Sequence, residues 1–176
     1  KKDITVEVYD KLDDALFTIV SSIYKKYIKY KKFHEKDFEE ESEVFEKEDN
    51  IDWKYFIYYF KNKPIAFTEI KVFQSNHVLT GQFGWDYENP KLGLGTYATL
   101  HEIDWSIKNK CKKYYLSFGY ENTSLYKSRF DGFEFWNGRG WISNKSLYKK
   151  LCEHDTEINT LEELNIYQRK YFKLNG

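Results

Sequence analysis

Two glycines one residue apart, Gly93 and Gly95, stand in the stretch Asn89-Pro90-Lys91-Leu92-Gly93-Leu94-Gly95-Thr96-Tyr97. A strand, a glycine-bearing turn and then a helix form an arrangement suited to anions. Glycine lets the backbone come close to a phosphate, the first amides of the helix lack partners, and the helix dipole favours negative charge there. Thr96 adds a hydroxyl and Lys91 a positive charge. A lone Gly-x-Gly pair also serves as an ordinary tight turn. No third glycine completes a dinucleotide-binding fingerprint, and no Gly-Lys-Ser/Thr completes a P-loop. His101 and Asp104 lie one helical turn apart, but two ligands are too few for a metal site, and none is expected. Cys111 and Cys152 read as structural.

The elements that must position this turn can be read from periodicity. Ile4, Val6 and Val8 alternate with polar residues, as in a strand. Asp10 is placed to cap a helix over residues 11–31, with Leu12, Leu16, Ile19, Val20, Ile23 and Tyr27 at helical spacing. Its last turns hold Lys25, Lys26, Lys29, Lys31 and Lys32, which suit the negative end of the helix dipole. Residues 35–49 carry nine acidic and two basic side chains and read as a second, solvated helix. Residues 53–60, a turn at Asn62-Lys63-Pro64, Ile65 to Phe73 and residues 78–86 make three strands. Their aromatic residues read as strand core. After the glycine turn, Tyr97, Leu100, Asp104 and Ile107 share one face of a helix that runs to about Asn109. Lys112 to Phe118 is a strand, Asn122 to Phe130 a short helix, and Phe133 to Ile142 a hairpin turning at Asn137-Gly138. Thr160 and Glu163 form a capping box for a last helix. Strands and helices in this order predict a mixed α/β domain.

Length and composition narrow the function classes. The 176 residues fit a single domain over 1–176, with Phe, Trp and Tyr at 20%, too aromatic for a disordered chain. Two cysteines are too few for a disulfide scaffold, and their separation without a Cys-x-x-Cys fits a reducing, cytoplasmic location. No run of about 18 apolar residues exists, so no membrane span is expected. Twenty-eight basic residues balance 28 acidic ones, unlike the basic excess of a dedicated nucleic-acid binder. The balance is uneven along the chain: residues 1–90 carry a net −4, 91–150 a net +6, and 151–176 a net −2. The positive middle suits an anion, and clustering on solvated faces accounts for it equally well.

The order strand, Gly-x-Gly turn, helix, strand, Asn122, then Leu125-Tyr126 resembles the GNAT superfamily of acyltransferases. That resemblance implies a mixed, mostly antiparallel central sheet flanked by helices. It implies that residues Lys91, Leu92, Gly93, Leu94, Gly95 and Thr96, with Asn122, bind the cofactor, acetyl-CoA or a related acyl-CoA. Pro90 stands where that family usually has Arg or Gln, with Lys91 beside it. Residues 85–141 also resemble the C-terminal GNAT-like domain of aminoacyl-tRNA–protein transferases. The matching segments are Trp85-Asp86-Tyr87-Glu88, Leu94-Gly95-Thr96-Tyr97, Tyr114-Tyr115-Leu116 and Tyr126-Lys127-Ser128-Arg129-Phe130. Gly93 stands where that second family commonly has Ser.

Acyl transfer to an amine needs a base for the amine proton, a stabilised oxyanion and a protonated leaving group. Asp86 is the favoured base, with Glu88 and Glu121 behind it and Glu69 on the preceding strand. The resemblance makes Tyr126 the general acid. It also implies that backbone amides around Phe83 to Tyr87, splayed by Gly84, hold the donor arm and polarise its carbonyl. The leading expectation is an N-acyltransferase moving an acyl group, acetyl above all, from a CoA thioester to a small-molecule or peptide amine. The alternatives are a stand-alone transferase using aminoacyl-tRNA and a non-catalytic ligand-binding module of the same fold.

Overall fold

The apolar run at 53–60 lies at the heart of a five-stranded sheet. β1 (Ile4–Tyr9), β2 (Asp52–Phe60), β3 (Lys63–Phe73), β4 (His77–Trp85) and β5 (Lys113–Tyr115) follow one another across it. The first four strands pair antiparallel, and β5 runs parallel to β4. The computed structural model describes residues 3–31, 45, 51–73, 76–87, 90–117 and 120–172. They fall into two compact units, Lys1–Ser117 and Phe118–Gly176. No helix among the described residues is long and apolar enough to cross a membrane.

In the first unit, helices cover both faces of the sheet. α1 (Asp14–Lys31) lays Leu16, Val20 and Ile23 on Tyr55, Ile57 and Phe67. α2 (Leu94–Lys108) lays Leu94 and Ala98 on Phe56, Tyr58, Ala66, Ile70 and Val78. Alternate strand residues therefore serve opposite cores, which is why β2 and β3 read as nearly continuous apolar runs.

Three local expectations change. The cap of α1 is Asp13, whose Oδ1 accepts the Leu16 N–H at 2.8 Å, whereas Asp10 takes the Lys54 ammonium at 2.8 Å. The β2–β3 turn is Lys61-Asn62, both left-handed at φ 50 and 63, as a two-residue type I′ hairpin demands. Lys63 and Pro64 thus open β3. On α2 the buried face is Leu94, Ala98, Glu102 and Ser106, while Leu100 and Ile107 are 51% and 69% exposed. Small residues at 98 and 106 let the helix lie close to the sheet, and close approach outweighs the larger apolar side chains. The acidic stretch 35–49 lies outside the described residues apart from Phe45, whose ring packs edge-on against Phe17, Tyr24 and Phe67.

The second unit has its own core of Phe135, Leu147, Tyr148, Leu151, Cys152 and Leu164. Asn122–Arg129 forms a 3-10 helix, and β6 (Phe135–Trp136) pairs with β7 (Trp141–Ile142) across the expected Asn137-Gly138 turn. α3 (Lys145–Glu153) has no counterpart in the periodicity reading. Asn144 caps it by accepting the Leu147 N–H at 3.0 Å, and Leu147, Tyr148, Leu151 and Cys152 are buried. α4 (Leu161–Phe172) starts with the expected capping box: Glu163 N–H donates to Thr160 Oγ1 at 3.1 Å, and Thr160 N–H donates to Glu163 Oε2 at 2.9 Å.

Two features of the first unit give measurable consequences. A Cβ at Gly84 would lie 2.6 Å from Phe67 Cε1 inside the core. Gly84→Ala is expected to lower stability by about 1–3 kcal/mol in urea unfolding. Glu102 is a carboxyl buried against the sheet, taking a hydrogen bond from the Tyr114 hydroxyl. Burial pushes it up to about 7, against the opposing pull of hydrogen bonds from Thr68 and Tyr114. The unfolded side chain titrates near 4.5. Its stabilising contribution is therefore complete below that value and is lost as pH rises through about 7. Glu102→Gln is expected to narrow the gap between urea midpoints at about pH 5 and about pH 8; an unchanged gap would place the dependence elsewhere.

Candidate active site

β5 pairs with β4 only along His77, Val78 and Leu79. Ser117, two residues beyond β5, has φ 63 and turns the chain. β4 itself continues to Trp85, so its outer edge is uncovered by β5 beyond Leu79. Asp86 N–H reaches Ile65 O at 2.7 Å, which fixes the alternation of the ladder. Gly84 then faces β3, while the N–H and C=O of Phe83 and Trp85 face away from it, toward an edge that no strand among the described residues covers. An edge of this kind is a template for an extended ligand arm and supplies amides to a carbonyl oxygen.

The edge leads within a few residues into the glycine turn. Pro90–Leu92 form a single 3-10 turn, Gly93 sits at φ 56 and ψ 47, and α2 begins at Leu94. The sequence alternates between anchoring and presenting. Leu94 is wholly buried and Leu92 packs on the same core, while Lys91, Gly93 and Thr96 are exposed. The left-handed φ of Gly93 is one that side chains resist, so glycine suits this cap. Tyr97 N–H donates to Gly93 O at 3.2 Å, and no side chain among the described residues caps the start. The amides of Leu94, Gly95 and Thr96 are thus the orphan donors, among the described residues, of a 15-residue helix. A Cβ at Gly95 would meet the Phe83 ring at ordinary contact distances, Cζ at 3.6 Å and Cε1 at 3.9 Å. Packing leaves room for alanine there. His101 meets the Tyr58 ring edge-on and lies tilted against the Tyr97 ring.

Two carboxylates shape the strand end. β4 carries a bulge, with Gly81 and Gln82 both opposite Glu69 of β3. Glu69 is buried and its Oε1 accepts the Gln82 N–H at 3.0 Å. A Cβ on Gly81 would fall 2.7 Å from Glu69 Cγ, so this glycine makes space for the carboxyl. Glu69 was visible in the sequence as the one acid inside the apolar run Ile65–Ile70. Its bulge-holding contact needed the register to be seen. Asp86 is buried too, with Oδ2 lying 3.4 Å from Lys26 Nζ and 3.7 Å from Lys63 Nζ. Glu88 lies outside the described residues.

In the second unit, Glu121, Asn122 and Tyr126 come together on one 3-10 helix. Glu121 precedes its first turn and accepts the Thr123 hydroxyl at 3.2 Å. Asn122 N–H donates to Asp155 Oδ2 at 2.8 Å. Tyr126 is 39% exposed, and its ring meets Phe130 edge-on. Lys127 beside it is buried, and burial lowers its pKa although Glu121 and Cys152 oppose the shift. Lys127 stood in the matched segment but carried no assigned role. Its burial is legible only in the folded unit. Cys152 is fully buried and Cys111 is half-buried, both as free thiols.

Comparison with known proteins completes the picture. The family model for the C terminus of arginine-tRNA-protein transferase matches residues 20–137. A search of curated proteins finds no match. The C-terminal domain of a putative lysylphosphatidylglycerol synthetase from Agrobacterium fabrum is similar at TM-score 0.55 and 11% identity, covering 96% of this chain and 46% of that one. The L-PGS structure from Bacillus licheniformis gives TM-score 0.51 and 11% identity over 85% of this chain and 47% of that one. A GNAT family acetyltransferase from Staphylococcus aureus gives 0.47 and 16% over 66% and 87%. The chain spans about half the length of the first two. At these identities the likeness is one of fold, a mixed α/β fold with a mostly antiparallel central sheet. With two thirds of its residues inside the family model, the chain belongs to the arginine-tRNA-protein transferase C-terminal family and is an acyltransferase.

Proposed function

We propose that the protein transfers an aminoacyl group from an aminoacyl-tRNA to an amine. The observation that carries this reading is the join of the open β4 edge to the uncapped start of α2, inside the segment that the family model matches. An aminoacyl ester presents a carbonyl and, a short way off, phosphates. The edge amides of Phe83 and Trp85 suit the first, and the amides of Leu94 to Thr96 with Lys91 suit the second.

In the proposed reaction the amine nitrogen attacks the ester carbonyl and loses a proton to a carboxylate. Asp86 heads the candidates, with Glu88 and Glu121 behind it. Tyr126 donates its phenolic proton to the departing ribose oxygen as the carbon–oxygen bond breaks. The new bond is an amide. Glu69 keeps the bulge in place and so aims the edge amides. Asn122, at the start of the helix that carries Tyr126, remains a candidate for binding the donor.

One observation favours a second donor. The intact Gly93-x-Gly95 pair, with spare room at Gly95, suits the pyrophosphate of an acyl-CoA such as acetyl-CoA. The two donors separate in one assay, in which the protein and a peptide amine are offered either charged tRNA or acetyl-CoA. Transfer from charged tRNA alone supports the proposal. Transfer from acetyl-CoA alone rejects it in favour of the thioester. No transfer from either points to a binding module.

Site variants give two further expectations. Tyr126→Phe is expected to reduce kcat by about 10²-fold or more, the usual scale for a general acid, with thermal stability unchanged. Gly95→Ala is expected to fold at least as well as the parent, since alanine is favoured in helices by up to about 1 kcal/mol. It should nevertheless raise KM for the donor. An unchanged KM would mean that no phosphate approaches that backbone.

A further inference from the structure

The lysine-rich end of α1 has a second feature that dipole compensation leaves unused. It reads Tyr24-Lys25-Lys26-Tyr27-Ile28-Lys29-Tyr30-Lys31, with aromatic and basic residues interleaved. The aromatic ones gather at the end of β4. Tyr30 stacks on Tyr87 with centroids 3.6 Å apart and planes at 10°, and Tyr27 lies 5.9 Å from the same ring at 17°. Trp85 adjoins Tyr87 at 4.5 Å. Lys31 Nζ lies 6.0 Å from the Tyr27 ring centre and 5.9 Å from that of Tyr87. Lys26 and Lys63 approach Asp86 beside them.

Exposure in this cluster points to a ligand. Tyr30 is 58% exposed although one ring face is covered by Tyr87, so its other face is turned to solvent. Lys25, Lys29 and Lys31 beside it are exposed as well. A flat ring that stacks and negative charge for the lysines are together the properties of a nucleotide. Aromatic planes inside a basic groove are the general means of holding single-stranded nucleic acid without reading its sequence.

We infer that Tyr30, Tyr27 and Tyr87, with Lys25, Lys29 and Lys31, form a stacking platform for an unpaired nucleotide near the 3′ end of the tRNA donor. The inference rests on the donor reading above and adds where the single strand is held. One base stacks on the outer face of Tyr30. Its neighbouring phosphates pair with the α1 lysines. The strand thereby reaches the end of β4, where the edge amides and the glycine turn begin.

The test uses the full chain and two RNA minihelices that share one duplex, one ending in four unpaired 3′ nucleotides and one blunt. The overhang form is expected to bind at least tenfold more tightly. Tyr30→Ala should remove most of that difference, on the scale of one lost base stack, while Tyr30→Phe keeps it. Lys29→Ala with Lys31→Ala should lower the slope of log K against log salt by about 0.7 per lost phosphate contact. Tyr30 and these lysines are solvent-facing, and thermal melting checks that the variants fold. Overhang binding and aminoacyl transfer that are both unchanged in Tyr30→Ala overturn the platform and leave the donor reading intact. A parent chain that binds neither RNA and transfers nothing from charged tRNA overturns the donor reading and the platform together.

Discussion

The parting of β5 from β4 after Leu79 is the constraint on which the site depends. A parallel strand that continued would pair the amides of Phe83 and Trp85 and close the edge. β5 pairs with β4 over three residues, and Ser117, two residues beyond it, is left-handed. The rest of the first unit supports the exposed length of β4. β3 pairs along its inner side, α1 packs over one face, and Leu92 and Leu94 pin the following turn into the other core. The bulge opposite Glu69 adds a second departure from regular pairing in the same strand. The buried carboxyl takes the Gln82 amide that the bulge leaves over, so the irregularity is held by a specific partner.

Charge is arranged around the end of this strand in a way that the net balance hides. Asp86 lies within reach of Lys26 from α1 and Lys63 from β3, joining the ends of three elements at one carboxylate. Such a contact can position the strand end and remain close to the chemistry. Lys91 and the α2 amides add positive potential just downstream. The acidic residues of the first unit that raise its negative total are concentrated in 35–49, away in sequence from the glycine turn.

Much of the fold was legible because its signals were local. The Thr160/Glu163 box, the Asn137-Gly138 hairpin and the apolar faces of α1 each depend on residues within a few positions of one another, and each formed as read. The glycine turn was legible for the same reason. Where reading failed, a non-local contact decided the outcome. α2 turned its Ala98/Glu102/Ser106 face inward because close packing on Tyr58 and Tyr114 outweighed the exposed Leu100 and Ile107. α3 went unseen because its four buried residues cluster without a long stripe. The carboxylates illustrate the limit for the site. Their positions could be seen in the chain, but the lysine partners of Asp86 and the bulge held by Glu69 come from residues 13 to 60 positions away.

The central claim is that the open edge of β4 and the start of α2 receive the donor. Amide hydrogen exchange resolved to single residues, with and without a non-hydrolysable aminoacyl-tRNA analogue, tests it most directly. The account predicts slowed exchange at Phe83, Trp85, Gly95 and Thr96 when the analogue is bound. Bound analogue with unchanged exchange at these four amides would contradict it.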